Sequence, residues 1–171
     1  MLAAVIPRLE AGTSYDKYSD TYMMRMLAGI RLMNTEHPLV SHIVTYVLSI
    51  LPTLAGNTSS LNLARMFHVF RTLGVKTKET RELLSQLTNI LEANQSLPFT
   101  AKELRLIMSG LSALPPDCAK ETGRILDSVY AILASSEKKL VFTSNEISFF
   151  LSGFSQMTGE YSLNMFDRMS E

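Results

Sequence analysis

Side chains that can bind anions or form hydrogen bonds recur at matching positions in several segments of the chain. Within a segment they lie three or four residues apart, a spacing that places them on one face of a helix. The set comprises Arg31, His68, Arg71, Arg105, Ser109, Ser112, Ser152 and Ser155. Arginine binds phosphate or stacks on a base, and serine can hydrogen-bond to a base edge or a sugar. The pattern predicts a face for RNA or a protein partner; the alternative is an ordinary solvated helix surface.

No motif of an enzyme accompanies these side chains. The sequence contains no P-loop, Rossmann glycine pattern, zinc motif or nucleophile elbow. His37, His42 and His68 lack the helical spacing of a metal-ligand pair. Cys118 is the one cysteine, so an internal disulfide is excluded, which is typical of a reducing or organellar interior. We therefore expect a non-enzymatic protein that uses neither a cofactor nor a metal.

Composition predicts a single globular domain over residues 1–171. A chain of 171 residues with 46% hydrophobic residues is long and apolar enough to bury a core. Its 16 basic and 16 acidic side chains give a formal net charge of zero, so any basic patch must be local. The longest apolar-rich stretch, residues 43–56, contains Pro52 and is too short to cross a bilayer. We expect no membrane span.

Apolar residues recur at the spacing of a helix throughout the chain. Leu83, Leu84, Leu87, Ile90 and Leu91 are an example, and strand signals are poor. Glycine and proline instead cluster between the periodic segments, in "GNTSS", "QSLPFT" and "LPPD". The sequence therefore predicts an all-α fold.

Two of the predicted helices begin with nearly the same amino-acid sequence. Residues 99–114, "FTAKELRLIMSGLSAL", and residues 142–157, "FTSNEISFFLSGFSQM", are identical at six of sixteen positions. In each, a threonine is followed three residues later by a glutamate, Thr100 by Glu103 and Thr143 by Glu146, which predicts a capping box. The phenylalanine before each threonine has the position of a hydrophobic staple.

Two looser copies of this segment lie upstream and extend the pattern into a repeat. Aligning Ile30, Phe70, Leu111 and Phe154 gives steps of 40, 41 and 43 residues. The column before them holds a glycine at three of four copies: Gly29, Val69, Gly110 and Gly153. A missing side chain at this position predicts that the helix crosses a neighbour closely.

Each of these helices, which we call A helices, is followed by a second apolar segment, a B helix. The pattern predicts an α-solenoid of about four helical hairpins with repeats of about 40 residues and a half-repeat at each end. The half-repeat covers 1–14, the repeats cover about 18–57, 58–98 and 99–141, and the partial repeat covers 142–171. The alternative is an ordinary helical bundle whose segments are similar by chance.

The repeat resembles degenerate units of organellar helical-repeat proteins, namely the octotricopeptide-like and RAP-associated repeat proteins. The resemblance rests on a glycine followed by an apolar residue near the end of the A helix, at Gly29, Gly110 and Gly153, and on the Leu-rich second helix. It implies an α-solenoid, a mitochondrial matrix or other organellar address, and a role in RNA processing, editing, stability or translation.

Two function hypotheses follow. In the first, the chain is a binding module of a mitochondrial ribonucleoprotein and contacts RNA through the stripe on its A helices. In the second, it is a scaffold that binds other protein subunits of a large assembly without touching RNA. Neutral net charge and apolar end segments favour the scaffold, because a half-repeat at an end leaves core surface to be covered.

Overall fold

The protein is built from α-helices joined by short connections. The computed structural model describes residues 20–54, 56–135, 140 and 142–148. Its helices are α1 (Asp20–Ile30), α2 (Pro38–Ile50), α3 (Ser60–Leu73), α4 (Lys78–Ala93), α5 (Ala101–Leu111) and α6 (Ala119–Ser135). Residues 51–54 and 116–118 form 3₁₀ turns, and residues 144–148 are helical. No strand occurs in the part of the chain that the structure describes, so the predicted all-α class is confirmed there.

The predicted capping boxes form. At the start of α5, the Thr100 backbone N–H donates to Glu103 Oε2 over 2.6 Å, and the Glu103 N–H donates to Thr100 Oγ1 over 3.3 Å. Thr143 and Glu146 make the same reciprocal pair, at 2.8 and 3.3 Å. Because these bonds satisfy donors that a helix start leaves open, the two similar segments share a local start signal.

The other helix starts use different acceptors. Thr77 and Thr80 form a capping box at α4, although neither residue is a glutamate. At α3, Ser59 Oγ accepts from the Asn62 N–H, while the carboxylate of Asp20 on α1 accepts from the Ser59 N–H over 2.7 Å. Asp20, on the preceding A helix α1, therefore accepts from the N-cap N–H of α3 as Glu103 does at the start of its own helix.

Helices pack against the next helix but one. The A helices α1, α3 and α5 contact each other in that order, and the B helices α2, α4 and α6 do the same. The contact between α3 and α5 is the most extensive among the described helices. We call these two sets the A layer and the B layer.

The core lies between and within the two layers. Phe67 and Phe70 on α3 are its largest fully buried side chains. Met23, Leu27 and Ile30 on α1 are all buried. At about 25 cal/mol per Å² of apolar surface removed from water, this burial is the main stabilising term for the stacked helices.

The aligned glycine positions differ in how closely a neighbouring helix approaches them. A Cβ atom on Gly110 would lie 2.2 Å from the backbone oxygen of Phe67, so α5 approaches α3 as closely as the sequence predicted. A Cβ atom on Gly29 would meet nothing within 4 Å among the described residues, which contain no A helix before α1 for it to cross. Val69 is buried, and Gly153 lies outside the described residues, as does the predicted half-repeat 1–14.

Side-chain hydrogen bonds between distant segments recur at separations close to one repeat. The Ser59 N–H donates to the Asp20 carboxylate, 39 positions away in the sequence. The Asn62 side-chain amide donates to the Thr21 hydroxyl, 41 positions away. Thr35 donates its hydroxyl to the Leu73 carbonyl at the end of α3, 38 residues on. The same kind of polar contact therefore joins successive hairpins at both ends of the A helices.

Candidate nucleic-acid interface

Charge is distributed unevenly between the two layers. The A layer, together with Arg31 directly after α1, carries six basic side chains and two acidic ones, a net charge of +4. The B layer carries four basic and five acidic side chains, a net charge of −1. A chain with no net charge thus presents a locally basic side.

Both acidic groups of the A layer are engaged at helix starts. Asp20 accepts from Ser59, and Glu103 accepts from Thr100. Partial burial raises the pKa of Asp20, but the hydrogen bonds from Ser59 and Asn62 outweigh it and hold that pKa below its usual value of 3.8. Asp20 therefore stays ionised in a capping role.

Three of the arginines singled out in the sequence lie within electrostatic reach of His68. Arg31 follows α1, His68 and Arg71 lie on α3, and Arg105 lies on α5. Burial lowers the pKa of His68 below 6.5, and the charges of Arg71, Arg31 and Arg105 lower it further. His68 Nδ1 is buried without a hydrogen-bond partner among the described residues. We call these four residues the basic cluster.

A hydrogen bond across the two best-packed A helices positions one arginine of the cluster. Arg71 Nη1 on α3 donates to Ser109 Oγ on α5 over 3.3 Å. Ser109 is buried, and its carbonyl accepts from Ser112 Oγ over 2.9 Å. Ser109 therefore acts inside the protein by holding Arg71, while Arg71 itself is exposed and Ser112 is half-buried.

An acidic group lies near the far side of the cluster. Hydrogen bonds from the Thr143 backbone and hydroxyl lower the pKa of Glu146, and the charges of Arg105 and Lys102 lower it further. Arg105 therefore lies within electrostatic reach of the Glu146 carboxylate as well as of His68. Sequence reasoning missed this neighbour, because Glu146 was assigned only to its capping box.

Of the predicted site residues, Arg31, His68, Arg71 and Arg105 form the basic cluster, Ser109 bonds to Arg71, and Ser112 directly follows α5. Ser152 and Ser155 lie outside the described residues.

The B layer uses its arginines in ion pairs. Arg124 on α6 contacts both carboxylate oxygens of Glu92 on α4, at 2.8 and 2.5 Å. Arg81 contacts Asp117 over 2.5 Å. The Arg124–Glu92 pair is bidentate and joins α4 to α6, whereas the Arg81–Asp117 pair is a single contact between exposed side chains.

Within residues 20–148 as described, no group of three or more His, Cys, Asp or Glu side chains is arranged to hold a metal ion. In the same part of the chain, none of the helices combines the length and apolar character needed to cross a membrane. Cys118 is buried, and burial raises the pKa of its thiol.

Comparison of the chain with protein families, curated proteins and solved structures finds no match.

Proposed function

We propose that this protein is a non-enzymatic α-solenoid module that binds single-stranded RNA through the basic side of its A layer. The observation that carries the proposal is the basic cluster. Arg71 on α3 is held by Ser109 on α5, and these two helices pack closely against each other. Burial lowers the pKa of His68, and the charges of Arg71, Arg31 and Arg105 lower it further, so these three arginines lie near His68. Phosphate groups are the anions that such a cluster of guanidinium groups binds best.

Helix packing supports the solenoid part of the proposal. Each A helix contacts the next A helix, and each B helix the next B helix, as stacked hairpins do. Close approach at Gly110 and polar links about one repeat apart point the same way. The organellar ribonucleoprotein setting, in mitochondrial RNA processing, editing, stability or translation, is proposed on the family resemblance alone.

The size of the cluster sets the expected strength of binding. Three arginines neutralise few phosphates, so we expect a dissociation constant in the range of about 10⁻⁴ to 10⁻⁶ M. An affinity of this order suits a module that acts together with neighbouring subunits, each adding contacts to the same strand.

The test is a comparison of two charge-reversed variants. The first carries Arg31→Glu, Arg71→Glu and Arg105→Glu in the basic cluster. The control carries Lys76→Glu, Lys78→Glu and Lys120→Glu, which change the net charge equally at exposed positions in or beside the B layer. Fluorescence anisotropy with a labelled single-stranded RNA of about 12 nucleotides measures the affinity.

We expect the cluster variant to bind about 10- to 100-fold more weakly, since each exposed charge contact contributes about 0.5–1 kcal/mol. The control should stay within about threefold of the wild type. Equal losses in the two variants would show that only net charge matters and overturn the proposal. Poly-glutamate of matched length binding as tightly as RNA would instead favour the scaffold, with an acidic protein surface as its partner.

A further inference from the structure

His68 lies where α5 crosses α3. A Cβ atom placed on Gly110 of α5 would be 3.4 Å from the His68 backbone nitrogen and 2.2 Å from the backbone oxygen of the preceding residue, Phe67. Arg71, three residues further along α3, donates to the side chain of Ser109, the buried residue next to Gly110. His68 is therefore half-buried at the closest helix crossing of the A layer, beside an arginine that the same crossing holds in place.

Positive charge reaches His68 from its own helix and from both neighbouring A helices. Burial disfavours the charged imidazolium and lowers the pKa of His68, and the charges of Arg71, Arg31 and Arg105 lower it further below 6.5. His68 Nδ1 is buried without a hydrogen-bond partner among the described residues, so no acceptor there stabilises a second ring proton. His68 is consequently neutral near pH 7 in the free protein.

The other charges on the helices around α3 have positions or partners of their own. Asp20 of α1 and Glu103 of α5 accept hydrogen bonds at helix starts, and Glu146 acts on the far side of the cluster. The further basic residues of α1 and α5 are Arg25 and Lys102. In the B layer, α4 also contacts α3 and carries two basic and three acidic side chains. A bound anion would therefore add negative charge where the described contacts with His68 are positive.

We propose, resting on the RNA-binding function above, that His68 takes up one proton from solvent when an RNA strand binds at the basic cluster. The phosphate charges offset those of the three arginines, which removes the repulsion that keeps the imidazole neutral, and they attract the new charge directly. The bound site then holds four positive charges where the free site holds three. Binding is consequently tighter in mildly acidic than in neutral solution.

Proton linkage gives the sign and the size of this effect. Because the pKa of His68 is higher in the bound than in the free protein, affinity rises as the pH falls, and one proton limits the slope of log affinity against pH to at most −1. If binding raises the pKa by about one, the gain is at most about tenfold. We expect affinity to rise about three- to tenfold between about pH 7.5 and about pH 5.5, a range in which ordinary carboxylates stay ionised.

The experiment measures the affinity of a labelled oligo(U) of about 12 nucleotides by anisotropy across this range of pH at constant low salt. Uracil has no group that titrates in the range. The variant His68→Gln keeps a polar side chain that cannot be charged, and the control His42→Gln removes an exposed imidazole from α2 in the B layer. We expect the gain in acid to be lost in His68→Gln and kept in His42→Gln. NMR titration of the wild type should show that oligo(U) raises the pKa of His68 by about one.

Failure of this inference differs from failure of the proposed function. An equal gain in acid for His68→Gln and the wild type, or a His68 pKa that does not rise when oligo(U) binds, would overturn proton uptake at His68 and leave RNA binding intact. Absence of oligo(U) binding at every pH in the range would show instead that RNA binding itself is wrong. If His68→Gln does not fold, the NMR titration of the wild type decides alone, because it needs no variant.

Discussion

Gly110 offers the sharpest test of how the hairpins stack. The glycine lies where α5 crosses α3, and a Cβ atom there would sit 2.2 Å from the Phe67 backbone oxygen and 2.8 Å from its carbonyl carbon. Real Cβ contacts essentially never fall below 3.0 Å. The substitution Gly110→Ala therefore requires α5 and α3 to move apart by at least 0.8 Å, the difference between 3.0 and 2.2 Å.

Two opposing effects determine how much Gly110→Ala changes the free energy of unfolding. Replacing glycine by alanine within a helix stabilises the helix by about 1 kcal/mol. Overpacking against backbone, which cannot rotate away as a side chain can, typically costs about 1–3 kcal/mol and occasionally more. Because the required separation affects the most extensive contact among the described helices, we take the upper part of this range and expect a net loss of about 2 kcal/mol.

Gly29 supplies a matched control, since it occupies the same column of the repeat and a Cβ atom there meets nothing within 4 Å among the described residues. Gly29→Ala should stabilise the protein by about 0.5–1 kcal/mol through helix propensity alone. Thermal unfolding followed by circular dichroism, with urea titration for the free energy, measures both variants. The reasoning is refuted if Gly110→Ala is as stable as the wild type or more stable.

Three further outcomes are expected. Glu146→Gln keeps an acceptor for the Thr143 cap but removes the carboxylate beside Arg105, so RNA affinity should rise about two- to threefold in anisotropy; an unchanged affinity would remove Glu146 from the electrostatics of the cluster. The His68 side chain should titrate below pH 6.5 by NMR, and Arg71→Gln should raise its pKa; a pKa that does not move on substitution contradicts the assigned proximity. Asp20→Ala should destabilise the protein by about 1 kcal/mol near neutral pH. Since the folded-state pKa of Asp20 is below 3.8, its contribution is present above that pH and fades as the pH falls through the folded-state value, so the two urea midpoints should converge in acid and diverge near pH 7.

Local features of the fold follow closely from the sequence. The Thr100 and Glu103 pair predicted both bonds of a capping box, because the partners are three residues apart and need no tertiary structure. The sequence also predicted a close helix crossing at Gly110, since a residue without a side chain lets a neighbouring backbone approach; Gly29 in the same column shows no such contact among the described residues.

Contacts set by the relative rotation of helices did not follow from the sequence. Nothing local shows that the carboxylate of Asp20 reaches Ser59 of the next hairpin, or that Glu146 comes near Arg105. Ser109 was predicted to face a partner but is buried and holds Arg71, because a small polar side chain fits either a surface or a close helix crossing. The signal that could have located it is the neighbouring glycine, Gly110, which marks the crossing.

Chemical-shift mapping of the isotope-labelled protein during titration with a short single-stranded RNA tests the central claim most directly. We expect the largest changes at the backbone and side-chain nitrogens of Arg31, His68, Arg71 and Arg105, with the B layer scarcely affected. Changes centred on the B layer, or none at low salt, would contradict the assignment of the basic cluster as the RNA-binding surface.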